Sequence, residues 1–312
     1  MRQETFNVLP PRGGPPSHAS VTQFLSSLLP PAANDVNFLY HTPRHPAYDP
    51  SRTVVSRVVL SIAPTPGVYA ALNTASSSTP PLCVLHRPWQ LDRRAVPKGT
   101  LVIASHTSLD MYLTVGWNIT LAGRLGLHIP SAVCIQGYKG DPQRRIGIVA
   151  KVRPGVTPSL GSLTDAVRRE FAGAGDLHLP AGAALGSDSR IAVVAIMNAF
   201  HPDEINRVVH AAKEAKWIGE NDDASNVLYL TGAARDYGLE AAAAASMPAI
   251  CVGHRSCEEW GVRFLAETLK EQWPELSVEE VLEEEEPRAG PKKAKNATER
   301  VPLRVESCAA QA

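Results

Sequence analysis

A chain of 312 residues that is 44% hydrophobic can bury a sizeable core, which sets it apart from disordered and disulfide-stapled chains. Lys plus Arg and Asp plus Glu both number 31, so no net charge draws it to nucleic acid or to an anionic membrane, and partners have to be argued from sites. Its five cysteines form no C-x-x-C pair and fit a reducing compartment, and its apolar runs are too short to span a bilayer. A soluble, cytoplasmic protein is expected.

In chain order, residues 1–18, with the Pro/Gly cluster LPPRGGPPSH at 9–18, read as a disordered lead. Short aliphatic or β-branched runs come next at 53–62, 82–85, 101–104, 132–136, 146–152, 191–197, 227–230 and 249–252, each of strand length. Helical spacing predicts helices over 115–125, 163–171, 202–215 and 237–246, the last stopped by Pro248. Such alternation is the pattern of an α/β fold. Residues 283–312 pass from acidic to basic with Pro and Gly and read as a disordered charged tail, whose PKKAK stretch at 291–295 keeps the nucleus open as a location.

Nucleotide and hydrolase fingerprints are absent: there is no P-loop, no G-x-G-x-x-G, no G-x-S-x-G and no H-E-x-x-H. The residues just after each strand are more informative, because open α/β sheets bind ligands beyond the carboxyl ends of their strands. Residues 82–85 lead into His86, 101–104 into Ser-His-Thr-Ser-Leu-Asp ending at Asp110, 227–230 into Thr231 and Gly232, and 249–252 into Gly253 and His254. His86, Asp110, His254 and Glu258 together are an N/O set suited to a divalent ion such as Zn, Mn or Fe. Each also has a plain structural reading. Asp110 can cap a helix, and Ser256 with Glu259 forms a capping box that puts Glu258 in a first helical turn.

The pieces CVLHRPW, IASHTSLD, LYLTGAARDYGLEAAAAA and ICVGHRSCEEWGVRFLAETL, in this order and spacing, resemble the GTP cyclohydrolase 1 type 2 family, also called the Ngg-interacting factor three-like family. That resemblance implies two α/β lobes, with a dinuclear metal site at their interface, in a ring-like homo-oligomer. It implies metal ligation by His86, Asp110, His254 and Glu258, with His106 orienting a ligand or moving a proton. The family's second histidine is Arg87 here, and a guanidinium has no lone pair to give, so of the one or two ions implied Arg87 speaks against the second. The carboxylate of its T-G-E motif is Ala233, and Asn118 stands one residue off the asparagine that comes after its aspartate. Its D-N-x-G stretch is sought at residues 40–45 and not found there.

For the ligands to meet, the chain has to return to its starting lobe. Residues 19–127 and 225–282 are expected to form the first lobe, and 128–224 a second lobe inserted into it. The resemblance implies one of two functions. One is a metal-dependent hydrolase of a purine nucleotide, with Arg87 free to contact phosphate. The other is a catalytically weak or inactive member that acts as a scaffold or regulatory module for a protein partner.

Overall fold

The computed structural model describes residues 14–285 apart from 33, 75–78, 156–157 and 182–184. The basic stretch 291–295, like most of the expected lead and tail, lies outside the described residues. The strands are β1 (Leu39–His41), β2 (Arg57–Ser61), β3 (Leu82–Leu85), β4 (Leu101–Ala104), β5 (Val133–Tyr138), β6 (Asp141–Lys151), β7 (Asp176–His178), β8 (Val193–Met197), β9 (Val227–Thr231), β10 (Ala249–Cys251) and β11 (Ser277–Val281). The helices are α1 (His18–Leu28), α2 (Pro66–Leu72), α3 (Thr107–Tyr112), α4 (Ile119–Arg124), α5 (Leu160–Glu170), α6 (Pro202–Glu214), α7 (Asp236–Ala244) and α8 (His254–Gln272).

Two sheets form, with strand orders β1-β4-β3-β2-β11 and β5-β6-β8-β9-β10-β7. In the first, β11, β2, β3 and β4 run parallel; in the second, β8, β9 and β10 do. Their continuous apolar runs suit strands covered on both faces, and every residue of β2, β3, β4, β8, β9 and β10 is buried. One continuous core joins Leu60, Val84 and Ile103 of the first sheet to Ile148, Val194 and Leu228 of the second, through Phe24 of α1, Leu121 of α4, Val167 of α5 and Leu265 of α8. On their other faces, Val59, Cys83 and Val102 pack with α2, and Val149, Ala195 and Tyr229 pack with α6 and α7.

Sheet membership differs from the expected division of the chain. β9 and β10 pair in the second sheet, and the chain returns to the first only with β11. The reason lies in the register: β9 lies between β8 and β10 and bonds to both, so residues 227–251 complete the second sheet. The expected disordered lead ends sooner too. Ser17 caps α1 in a reciprocal box with Ser20, and Val21, Phe24, Leu25 and Leu28 bury one helical face. Burial pushes the Cys83 thiol up to about 12, which leaves it an inert core residue. No helix among the described residues is long and apolar enough to cross a membrane.

One glycine sets how closely α8 approaches the segment after β4. A Cβ at Gly261 would stand 2.8 Å from the Leu113 carbonyl oxygen, a backbone atom with nowhere to go. Gly261 lies one turn beyond Glu258, so its bareness lets that helix face seat against residues 109–113. Gly261→Ala is expected to cost about 1–3 kcal/mol as overpacking, read as a lowered midpoint in urea or thermal unfolding. An unchanged midpoint would mean that the helix can retreat at no cost.

Candidate metal centre

The parallel register of β3 and β4 sets Leu85 opposite Ala104, so His86 leaves the sheet beside Ser105. His86 is 1% exposed, and its Nδ1 lies 3.0 Å from the Ser105 carbonyl oxygen. A carbonyl only accepts, so Nδ1 carries the proton and donates. Nε2 is then the atom left to face the cluster: with a proton it donates to Glu258, and without one it offers a lone pair to an ion. It faces two acceptors, Glu258 Oε1 at 3.2 Å and Asp110 Oδ1 at 3.5 Å. Neither His86 Nε2 nor Glu258 Oε1 has a hydrogen-bond partner, although both are buried. Buried polar atoms that converge without a hydrogen bond are costly, and a cation among them would offset that cost.

His106, expected only in support, stands inside the cluster. One ligand atom each from His86, His106 and Asp110 lies within 4.8 Å of the others, so these three residues could hold an ion. The two imidazoles lie 4.7 Å apart between centroids, and Trp89 meets His106 edge-on at 4.9 Å. Burial, and then the neighbouring His86, push the His106 ring below its ordinary value against the pull of Asp110, Asp35 and Glu258. A neutral imidazole is the form that ligates.

The turn that presents His106 is fixed from a distance by Asp35. Its carboxylate accepts from the backbone N–H groups of His106 (2.8 Å), Thr107 (2.9 Å) and Ser108 (2.9 Å), and from the Ser105 hydroxyl at 3.2 Å. Burial raises this carboxyl, and the hydrogen bonds from Ser108, His106, Thr107 and Val36 outweigh burial and hold it below its ordinary range. A bond spanning some 70 residues leaves no trace in local spacing, and nothing in the sequence marks Asp35 beyond its being a cap-forming residue type.

His254 and Glu258 meet the cluster from α8. That helix starts at His254 after Gly253, whose φ is 89°, so Ser256 is not its cap and Glu258 lies beyond the first turn. The two side chains therefore stand on one helical face, with His254 Nε2 3.3 Å from Glu258 Oε1. His254 is 69% exposed and marks the solvent rim. The Glu258 interaction raises its ring above the ordinary value despite partial burial. Burial pushes the Glu258 carboxyl up, but His254, His86 and Arg87 outweigh it and hold the group well below the usual carboxylate range.

Arg87 donates to Glu258 Oε2 at 2.9 Å and pairs with Glu285 at 2.8 Å. Glu258 is thus divided, with Oε2 on a guanidinium and Oε1 toward the imidazoles. The first residues of the expected disordered tail are accordingly engaged: Glu283 accepts from the Gly67 N–H at 2.8 Å, and Arg255 donates to the Leu282 and Glu283 carbonyls. Asn118 is not at the cluster but caps α4, accepting from the Leu121 N–H.

Asp35→Ala leaves the N–H groups of Val36, His106, Thr107 and Ser108 without their acceptor and is expected to cost about 1–3 kcal/mol, with divalent-metal content falling in parallel. Asp35→Asn keeps one acceptor oxygen and should retain more of both. Metal content equal to wild type in a folded Asp35→Ala chain would remove Asp35 from the centre's support.

No protein-family model and no curated protein matches the chain. Solved structures do. A Staphylococcus aureus protein, SA1388, superposes with a TM-score of 0.56 at 15% identity over 86% of this chain and 97% of that one. Reduced HcgD from Methanocaldococcus jannaschii gives 0.55 at 13% identity over 86% and 99%. A Bacillus cereus protein related to NIF3 gives 0.51 at 12% over 86% and 97%. At such identities the likeness is one of architecture, and it runs through both sheets: the chain has the two-sheet α/β fold of these proteins, the NIF3-related one among them.

Proposed function

We propose that this chain is a divergent member of the GTP cyclohydrolase 1 type 2-like family and acts as a one-ion, metal-dependent hydrolase of a purine nucleotide. The observation that carries the reading is the pair of polar atoms without a hydrogen bond, His86 Nε2 and Glu258 Oε1, 3.2 Å apart and buried beside Asp110. The donor set, two imidazoles with two carboxylates, suits Zn, Mn or Fe. A divalent ion supplies Lewis acidity to the reacting group and to water.

The residues divide the work. His86, His106 and Asp110 would hold the ion, and the Ser105 carbonyl fixes the His86 tautomer that presents Nε2. Glu258 Oε1 would complete the set, while Arg87 occupies Oε2 and leaves no carboxylate edge for a second ion on that side. His254, at the rim with a raised pKa, would carry a proton on Nε2 for a leaving group. Trp89 covers one edge of His106, and His86 itself is buried.

Arg87 also favours a second reading. A guanidinium already neutralises part of the cluster, and Ala233 on the cleft wall brings no carboxylate, as in a member that keeps the fold as a regulatory or scaffold module. Elemental analysis of the purified chain separates the two. The hydrolase reading expects about one equivalent of Zn, Mn or Fe per chain, falling to background in His86→Ala and Asp110→Ala. It further expects His254→Ala to retain the ion while kcat on GTP falls by about a hundredfold or more. No metal and no nucleotide turnover after metal addition would leave the module reading; two equivalents per chain would contradict the role given to Arg87.

A further inference from the structure

Beside the cluster lies a cleft of about 440 Å³, with Asp110, His254 and Glu258 at one end. Its remaining wall comes from the second sheet. Asn198, Ala199, Phe200 and His201 lead from β8 to α6, and Thr231, Gly232, Ala233 and Arg235 lead from β9 to α7. Three helices of 13, 9 and 19 residues, α6, α7 and α8, therefore begin at this cleft, and none has a side-chain cap, although Pro202 at the start of α6 has no N–H to offer. Lys139 completes the wall from the β5–β6 hairpin, where positive φ at Lys139 (48°) and Gly140 (83°) makes the turn.

The charges are sorted along this cleft. Among the described residues, the carboxylates that line it are Asp110 and Glu258, both at the metal end. The acidic residues in the first turns of α6 and α7 are not on the wall, and Glu204 turns to Arg207 at 3.8 Å. Lys139 and Arg235 form no ion pair with a described carboxylate, although both stand where open helix N-termini already favour negative charge. At the other end Glu258 Oε1 is buried without a hydrogen bond and lies 3.2 and 3.3 Å from the His86 and His254 imidazole nitrogens, a place that suits a cation. A ligand that spans the cleft would then place an acceptor atom at a cation and an anionic group among N–H donors, an ammonium and a guanidinium.

We infer that Lys139 and Arg235, with the open N-termini of α6 and α7, form a phosphoryl-binding subsite facing the metal cluster across the cleft, which takes the phosphorylated end of the substrate. This rests on the metal reading, because without a cation Asp110 and Glu258 would oppose an anion in the same space. Lys139 and Arg235 are specificity-determining residues in this account and do not touch the ion. They come from a hairpin and from a helix N-cap, so binding requires both elements of the second sheet.

The test is calorimetric titration of the full chain with pyrophosphate as probe, with metal content measured on the same samples. Saturable binding is expected in wild type, weakened at least tenfold in Lys139→Gln/Arg235→Gln, whose metal content and circular dichroism stay at wild-type values. Succinate is the second probe, and binding as tight as that of pyrophosphate would overturn the phosphoryl assignment in favour of a general anion site. Metal-loaded wild type that does not bind pyrophosphate, or a double variant that binds like wild type, sinks the subsite and leaves the metal reading standing. Pyrophosphate binding that needs Lys139 and Arg235 and is equally tight with and without metal would overturn the stated dependence of the subsite on the ion, while a chain that takes up no added metal would sink the metal reading itself.

Discussion

The hydrogen bond from His86 Nδ1 to the Ser105 carbonyl decides what the rest of the centre can be. It fixes a proton on Nδ1 and turns Nε2 inward, toward Asp110 and Glu258. That bond exists because β3 and β4 end level with one another in a parallel ladder, so the first residue after one strand lies beside the first residue after the other. The sheet therefore does chemical work through its register. A slip of one residue would put Leu85 or Arg87 where the imidazole stands.

Around that bond the fold recruits residues from four separate stretches. Asp35 holds the turn carrying His106, α8 brings His254 and Glu258, and the segment after β11 brings Glu285 to Arg87. Each contact crosses a long sequence separation, and each is sustained by close packing rather than by local preference. Gly261 is the clearest case: the missing side chain is what lets the Glu258 face of α8 close on the residues just after α3.

The same dependence on packing separates the legible parts of the molecule from the rest. The buried parallel strands are legible because a strand covered on both faces is a continuous apolar run, and the histidines at their ends can be found by asking what each run delivers. His86, Asp110 and Glu258 do meet, and His254 joins them at the rim. Of the edge strands, β5 is legible as the run at 132–136, and β1, β7 and β11 are not. β1 and β7 are three residues each, and β11 reads SVEEV, with charges where an edge needs them and no apolar run to detect. The placing of β9 and β10 departs from expectation because ligand proximity does not require a shared sheet: the two sheets present their strand ends to one cleft. Asp35 escapes a reading by motif because capping across a chain has no period, and the weight of His106 depends on a neutral ring that only burial and its neighbours produce.

Arg87 shows how one substitution against a family pattern changes the electrostatic problem without emptying the site. A buried and a half-buried carboxylate call for positive charge, and an ion held with the two imidazoles is one source while a tethered guanidinium is another. Here the guanidinium takes a single carboxylate oxygen, and Glu285 holds its far side, so its position is set from two directions. It does not reach the other side of the same carboxylate: Glu258 Oε1 and His86 Nε2 form no hydrogen bond there, and Oε1 has only the imidazole nitrogens of His86 and His254 beside it, at 3.2 and 3.3 Å. Had Arg87 satisfied the whole cluster, those atoms would be paired and the case for an ion would vanish. The geometry instead divides the demand, half met by a side chain the sequence carries and half left open, and the open half is the one that faces the cleft.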